Sequence, residues 1–147
     1  MYEKQDWSDV YGETPFNADR MKHIEEGIYE NSQGNVYSTD EVFTGKYWID
    51  GKKIYKKTYE LANLTNGNND ITYDGSVIDT LVNVYGSILF LGTNGAGWQP
   101  IPRAFKDETF VISIGNIRDT LFRVTIGTNY DPAEKGYVIL EYTKTTD

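Results

Sequence analysis

Two loops in the second half of the chain combine amide or carboxylate side chains with an aromatic ring. In the first, Trp98 follows Asn94 and a run of glycines; in the second, Asp131 follows Tyr130. Saccharide sites stack an aromatic ring against the apolar face of a sugar, while amides and carboxylates bind its hydroxyl groups. We therefore predict that these four residues bind a saccharide. The alternative is that Trp98 closes the hydrophobic core and that both loops only connect strands.

Catalytic side chains are few in this sequence. The single histidine, His23, lies in a helical segment with no obvious nucleophile nearby. Carboxylates occur as adjacent pairs, such as Glu25-Glu26 and Asp107-Glu108. Neighbours in sequence do not define the separation of about 5 Å, or about 6.5 to 9.5 Å, that glycosidases use. We predict a protein without catalytic residues and keep polysaccharide hydrolysis as an alternative.

Metal and nucleotide signatures are missing from the sequence. The chain has no cysteine and one histidine, so thiolate ligands and histidine clusters are excluded. Asp70 to Gly75 (DITYDG) lacks the alternating acidic ligands of an EF-hand loop. Gly92 to Gly97 (GTNGAG) is followed by a segment with tryptophan and proline, not by a helix that could cradle phosphate. We predict no metal and no cofactor.

The net charge of −8 argues against polyanionic partners. Residues 1–36 carry three basic and eight acidic side chains, and residues 37–147 carry eleven and fourteen. Proteins that bind nucleic acid neutralise phosphates with lysine and arginine, so the opposite sign would be expected. The sequence also has no apolar run of about 18 residues and no apolar signal segment at its start. We predict neither a nucleic-acid partner nor a membrane partner.

One segment has the pattern of a helix, Thr14 to Ser32. Its apolar positions are spaced by three and four residues, as in a heptad seam that would mediate oligomerisation: Met21, Ile24 and Ile28. Gly27 costs on the order of 1 kcal/mol relative to alanine, so a helix of this length requires external packing. The helix can pack on its own β domain or bundle with copies of itself. The pattern leaves both arrangements open.

From Tyr37 onward the sequence has the pattern of strands and turns. Asp50-Gly51 between two strand-like runs predicts a β-hairpin. We expect Ala62 to Asn69 to form a polar loop. Trp98 to Ala104 holds two prolines, which predicts an irregular or edge segment.

Three further strands are predicted at the end of the chain, and in each the alternate residues are apolar. These residues are expected to face the core: Phe110, Ile112 and Ile114; Phe122, Val124 and Ile126; Val138, Leu140 and Tyr142. The fold predicted for the chain is mainly β, a short N-terminal helix followed by an antiparallel β-sandwich. We divide it into an N-terminal lead-in and helical stalk, residues 1–36, and a β-sandwich head, residues 37–147.

Three stretches of the sequence resemble tail fibre and baseplate-associated receptor-binding proteins of bacteriophages. YEKQDW with GETPFNADRMKHIEEGIYEN is similar to their N-terminal segment. TGKYWIDGKKIYKKTY is similar to the hairpin that opens their head domains, and GYVILEYTKTTD to the last strand of those heads. The resemblance implies a homotrimer with a coiled-coil stalk, a β-sandwich head and attachment to the host surface through saccharides. Residues 63–103 match only loosely, so no binding residue is carried over from the family.

The resemblance and the residues together predict a non-catalytic phage tail protein. Its trimeric head would attach to a host cell-surface polysaccharide, and its other partners would be tail or baseplate proteins. The acidic charge favours an uncharged polysaccharide over an anionic one. The expected location is the virion, after synthesis in the bacterial cytoplasm. The alternatives are a structural connector of the tail without receptor binding, or a cell-wall polysaccharide hydrolase.

Overall fold

The computed structural model describes residues 18–33, 36–93, 96–104, 111–115, 117 and 120–147. Within them lie one helix and nine strands. Their bounds are α1 Ala18–Gln33, β1 Val42–Tyr47, β2 Lys53–Leu64, β3 Gly67–Thr72, β4 Ile78–Phe90, β5 Gly97–Ile101, β6 Arg103–Ala104, β7 Val111–Gly115, β8 Leu121–Ile126 and β9 Ala133–Lys144. The chain is therefore mainly β, as its sequence predicts.

The strands form two antiparallel sheets. The first sheet has five strands in the order β1-β2-β9-β4-β5, and the second has four in the order β3-β8-β7-β6. The longest strands, β2, β4 and β9, lie side by side in the first sheet. The C-terminal strand β9 is thus hydrogen-bonded on both sides.

One hydrophobic core draws on both sheets. The alternating residues of β8 and β9 are buried, which confirms the core positions expected for those two strands: Phe122, Val124, Ile126, Val138, Leu140 and Tyr142. Ile88 and Phe90 of β4 pack into the same cluster. In β7, Ile112 is buried and Ile114 packs against the core, whereas Phe110 lies outside the described residues.

The predicted hairpin is present between β1 and β2. Gly51 adopts a φ of 87°, which favours glycine, and Lys52 N–H donates to the Asp50 carboxylate at 3.0 Å. The two strands pair antiparallel on either side of this turn. The turn at Asp50-Gly51 therefore joins β1 and β2, the first two strands of the first sheet.

The predicted polar loop from Ala62 to Asn69 is wrong. Strand β2 continues to Leu64 and β3 starts at Gly67, so only two residues separate them. Asn63, with a φ of 53°, and Gly67, with a φ of 92°, adopt left-handed conformations where the chain passes from the first sheet to the second. In this segment asparagine and glycine lie at the ends of strands, although a segment rich in these residues is typical of a loop.

Trp98 to Ala104 contains two short strands, β5 and β6. Strand β5 forms an edge of the first sheet, where Pro100 does not need to donate a ladder hydrogen bond. The edge interpretation is thus confirmed for β5. Residues 97–101 pair with the end of β4, which places Trp98 opposite Leu89.

Helix α1 lies beside β1 and ends at Gln33. The first four residues of the predicted helix and the side chain of Met21 lie outside what the structure describes. Ile24 is half-buried, whereas Ile28 is 65% exposed in the single chain. No helix in the described part of the chain is long and apolar enough to span a bilayer.

Candidate functional site

The face of the first sheet that points away from the core carries a groove. Register pairs Thr58 with Ile139 and Glu60 with Tyr137 across β2 and β9, and Tyr137 with Ser87 across β9 and β4. Directly paired residues of antiparallel strands project from the same face, so these side chains form adjacent rows. They enclose a groove of about 340 Å³. The described lining residues are Tyr37, Ser38, Thr39, Thr58, Glu60, Ser87, Tyr137 and Ile139.

The lining combines apolar surface with hydrogen-bonding groups. Ile139 is 8% exposed and supplies an apolar floor, and the Tyr137 ring stands next to it on the same strand. Glu60 offers an exposed carboxylate and Ser87 a hydroxyl on the neighbouring strands. A ligand with both an apolar face and several hydroxyl groups matches this surface.

Thr58 contributes a polar atom that has no partner in the described part of the chain. Its Oγ1 is buried in the groove wall and makes no hydrogen bond there. A buried hydroxyl without a partner costs free energy, typically about 1 to 3 kcal/mol.

One wall of the groove comes from the segment between the helix and β1. The backbone N–H of Thr58 donates to the carbonyl of Ser38 at 2.8 Å, which holds this segment against β2. The Tyr37 ring lies over the ammonium group of Lys56, with 4.2 Å between Nζ and the ring centroid. Lys56 is only 5% exposed, so the cation–π contact offsets part of its desolvation.

Tyr85 connects this wall to the centre of the sheet. Its hydroxyl donates to the Glu141 carboxylate at 3.0 Å and also makes a hydrogen bond with Tyr37. Burial, these hydrogen bonds and the charge of Glu141 raise the pKa of Tyr85 well above its ordinary value. The hydrogen bond between the two phenols connects Tyr37 to strand β4.

Trp98 extends the aromatic surface beyond the groove. It is 49% exposed, so it does not close the core. Its ring lies nearly parallel to that of Tyr137, with an interplanar angle of 20° and 6.0 Å between centroids. The ammonium group of Lys135 lies 5.9 Å from the centroid of the indole ring. Of the residues predicted to bind a ligand, Trp98 is the one whose ring contacts a groove residue.

Two of the other predicted ligand-binding residues lie elsewhere. Tyr130 is 3% exposed and stacks on Phe90 with 4.6 Å between ring centroids, so its ring supports the core. Asp131 is half-buried against Gly92, where a Cβ would overlap its carboxylate. Asn94 lies outside the described residues. Neither Tyr130 nor Asp131 is among the described residues that line the groove.

Five of the groove residues were missed because they lie inside strands. Sequence alternation predicts Val138 and Leu140 in the core and polar residues on the opposite face. On β9, however, the opposite face carries Tyr137 and Ile139, and Ile139 is buried. A strand with apolar or aromatic residues on both faces is the signal that could have located this surface.

The comparisons with known proteins add no assignment. No protein family, curated protein or solved structure matches the chain. Among the described residues, no cluster of three or more histidine, cysteine, aspartate or glutamate side chains could hold a metal ion. The chemistry of the groove is therefore the observation on which a function can be based.

Proposed function

We propose that this chain is a non-catalytic receptor-binding protein of a bacteriophage tail, and that its β head binds a saccharide of the host cell surface in the groove. The observation that carries the saccharide is the row of Glu60, Tyr137 and Ser87 across three strands. A half-buried aromatic ring between a carboxylate and a hydroxyl combines the apolar and hydrogen-bonding contacts that sugars make. The resemblance of both ends of the chain to phage fibre proteins supports the tail assignment.

The proposed head is a β-sandwich. Its support is the shared core, since β8 of the second sheet and β9 of the first bury their alternating residues in one cluster. Sheets that bury one face each against a common core are the usual arrangement of a sandwich. The groove then lies on an outer face, where a receptor has access.

An uncharged polysaccharide fits the groove better than an anionic one. Glu60 is exposed in the groove and would repel an acidic sugar. Lys56 is covered by Tyr37 and cannot reach a ligand without displacing that ring. The net charge of −8 also disfavours an anionic polysaccharide, at longer range.

The proposed oligomer is a homotrimer in a virion, with residues 1–36 as stalk and residues 37–147 as head. Its support is the exposed apolar side chain of Ile28 together with the neighbouring Tyr29. Burial of an isoleucine side chain stabilises a helix bundle by about 1.5 to 3 kcal/mol. A coiled coil of copies would provide that burial, and the head would contact other tail proteins at the virion.

Binding to an array of bacterial surface glycans tests the proposed function. We expect the wild-type protein to bind uncharged glycans, and Tyr137→Ala to lower the affinity about tenfold because a stacking contact is lost. Glu60→Gln keeps the packing and should also weaken binding. The matched control is Tyr47→Ala, since Tyr47 is an exposed aromatic residue of the same sheet whose ring contacts Phe43.

Other outcomes would support the alternative functions. A connector of the tail would adsorb to host cells equally well with Tyr137→Ala, and its assembly into particles would depend on exposed residues elsewhere, such as Ile49 at the β1–β2 turn. A hydrolase would shorten cell-wall polysaccharide and lose that activity with Glu60→Gln. Glu60 is the carboxylate among the described lining residues, whereas glycoside hydrolysis usually needs two.

A further inference from the structure

We infer that the groove recognises its saccharide through a primary ammonium group, that of an unacetylated amino sugar, which Glu60 and Tyr137 contact together. This inference rests on the proposed function and adds the chemical class of the sugar. Uncharged saccharides would still bind, but more weakly. The charge of the groove, the geometry of the two residues and a comparable pair elsewhere in the sheet support it.

The groove has one charged side chain among its described lining residues, the carboxylate of Glu60. The other described lining side chains are aliphatic or bear a hydroxyl group, so none of them supplies a positive charge. Glu60 is exposed, and no described residue forms an ion pair with it. The ammonium group of Lys56, on the same strand, is covered by the Tyr37 ring. The groove is therefore electronegative, and a positively charged ligand group complements it.

Glu60 and Tyr137 are close enough to contact one ammonium group together. They are directly paired across β2 and β9, and such pairs have about 4.5 to 5.5 Å between their Cβ atoms. Both side chains line the groove, where the Tyr137 ring is half-buried. A carboxylate accepts charge-assisted hydrogen bonds from an ammonium group, and a tyrosine ring attracts such a group within about 6 Å of its centroid. The pair thus offers both contacts side by side.

A comparable pair in the same sheet binds an ammonium group of the chain itself. The Nζ atom of Lys144 lies 2.6 Å from Oε1 of Glu41 and 4.6 Å from the centroid of the Tyr55 ring. One ammonium group is thus held by a carboxylate and a tyrosine ring at the same time. Glu60 and Tyr137 present the same two groups in the groove, where the ammonium group would come from the ligand.

Lys135 is a cation of the same sheet face that could compete for Glu60, and its side chain is directed elsewhere. It lies two residues before Tyr137 on β9, so it projects from the same face. Its ammonium group lies 5.9 Å from the centroid of the Trp98 ring, which belongs to β5. Strand β5 lies on one side of β9 and β2, with Glu60, on the other. The Glu60 carboxylate therefore remains accessible to a ligand.

The neighbouring groups suit a sugar that carries the ammonium group. Ser87 is paired with Tyr137 on the β4 side, opposite to Glu60 on the β2 side. Ile139 lies two residues further along β9 and supplies apolar surface. An amino sugar over Tyr137 could direct its ammonium group to Glu60 and its hydroxyl groups to Ser87. A small amine without a ring would make only the first of these contacts.

Titration calorimetry with three 1,4-linked trisaccharides tests this inference. They consist of glucose, N-acetylglucosamine or glucosamine, so they differ only in the group at C2, which is a hydroxyl, an acetamide or an ammonium group. The buffer is kept at about pH 6, where a primary amine is protonated. We expect the wild-type protein to bind the glucosamine trisaccharide at least about fivefold more tightly than the other two, because both contacts favour an ammonium group. High salt should reduce this preference, since it screens the charge of an exposed carboxylate.

Glu60→Gln should remove the preference, so that the three trisaccharides bind with affinities within about twofold of one another. The matched control is Glu134→Gln, which removes the same charge from an exposed position of β9 that is not among the described lining residues. This control should keep the wild-type preference. A preference caused by the net charge of the protein alone would fall equally in both variants and would overturn the inference.

Three further results would also overturn the inference while the proposed function stands. The first is equal affinity of the wild-type protein for the three trisaccharides, and the second is an unchanged preference in Glu60→Gln. The third is a preference that salt does not reduce, because the size of the C2 group would then decide. A wild-type protein that binds none of the three trisaccharides overturns the inference as well. The proposed function fails with it only if no glycan of the array binds.

Discussion

Several tyrosine side chains of the first sheet have hydroxyl groups that the fold holds in the protonated form. Tyr142 donates to the Glu41 carboxylate at 2.7 Å, and Tyr55 donates to that of Asp147 at 3.2 Å. Burial is the largest cause in each case, and it raises the pKa of Tyr55 and of Tyr59 to about 12. The pKa of Tyr142 is raised further by burial, by its hydrogen bond to Glu41 and by the charge of that carboxylate.

These shifts make the stability of the fold sensitive to alkaline pH. A phenol whose pKa is raised above its unfolded value of about 10 binds its proton more tightly in the folded state. The stabilisation that such a phenol contributes to the folded state is complete below pH 10 and is lost as the pH rises through about 12. We expect the free energy of unfolding to fall across this interval.

The ultraviolet absorbance of tyrosinate measures the shifts directly. The folded protein should show a group of phenols that ionise well above pH 10, and the protein in denaturant should show a single transition near 10. Tyr59→Phe should remove one late-titrating phenol and reduce the loss of stability. Ionisation of all phenols near pH 10 in the folded protein would contradict the burial argument.

The exposed Trp98 and the buried Tyr130 show how far single residues could be assigned from the sequence. Both follow polar loop residues, so their local patterns are equivalent. Trp98 projects from an edge strand, whereas Tyr130 meets Phe90 across the core. The distinction depends on strand pairing, which a local pattern does not contain.

Strand β9 contributes to both faces of the first sheet, the face towards the core and the face with the groove. Its Val138 face closes the core, and its Tyr137 face forms the groove. Strands β2 and β4 flank it along most of their length. A change in the position of β9 would therefore disturb stability and the proposed ligand binding together.

Gly86 of β4 permits the close approach of β9. A Cβ at this position would overlap the carbonyl oxygen of Tyr137 and crowd the Cα of Val138. Both are backbone atoms of a strand hydrogen-bonded on two sides, so they cannot move away cheaply. We expect Gly86→Ala to destabilise the fold by about 1 to 3 kcal/mol, measured by denaturant unfolding.

Gly115→Ala provides the matched control. A Cβ on Gly115, also in a strand, meets no atom of the described residues within 4 Å. Its free energy of unfolding should stay within about 0.5 kcal/mol of the wild-type value. Equal stability of the two variants would show that β4 and β9 are not packed as closely as described.

Elements were easier to predict from the sequence than the site. The alternation in β8 and β9 and the Asp-Gly turn carry strong local signals, and the structure confirms them. The prediction of a polar loop from Ala62 to Asn69 failed because asparagine and glycine occur both in loops and at the ends of strands. What decides between these uses is pairing with β8 and β9, which are remote in sequence.

The assembly state of the whole molecule remains a prediction. We expect light scattering of the full chain to give about three times 16.8 kDa. Ile28→Asp should shift the population towards single chains, because a charge in the proposed seam cannot be buried without a partner. Glu26→Ala, on the opposite side of the helix, is the control and should leave the mass unchanged. A full chain of 16.8 kDa would contradict the stalk.

In the proposed receptor-binding protein, the wall at Ser38 would also affect how an attached particle bears mechanical load. Force applied through the helix reaches the sheet along the connecting segment, and the Thr58–Ser38 hydrogen bond is an early point at which that segment is attached to β2. Tension that breaks this bond withdraws the wall from the groove. The lifetime of the proposed bound state would then depend on pulling force as well as on affinity, so shear during adsorption would select for a strong attachment at Ser38.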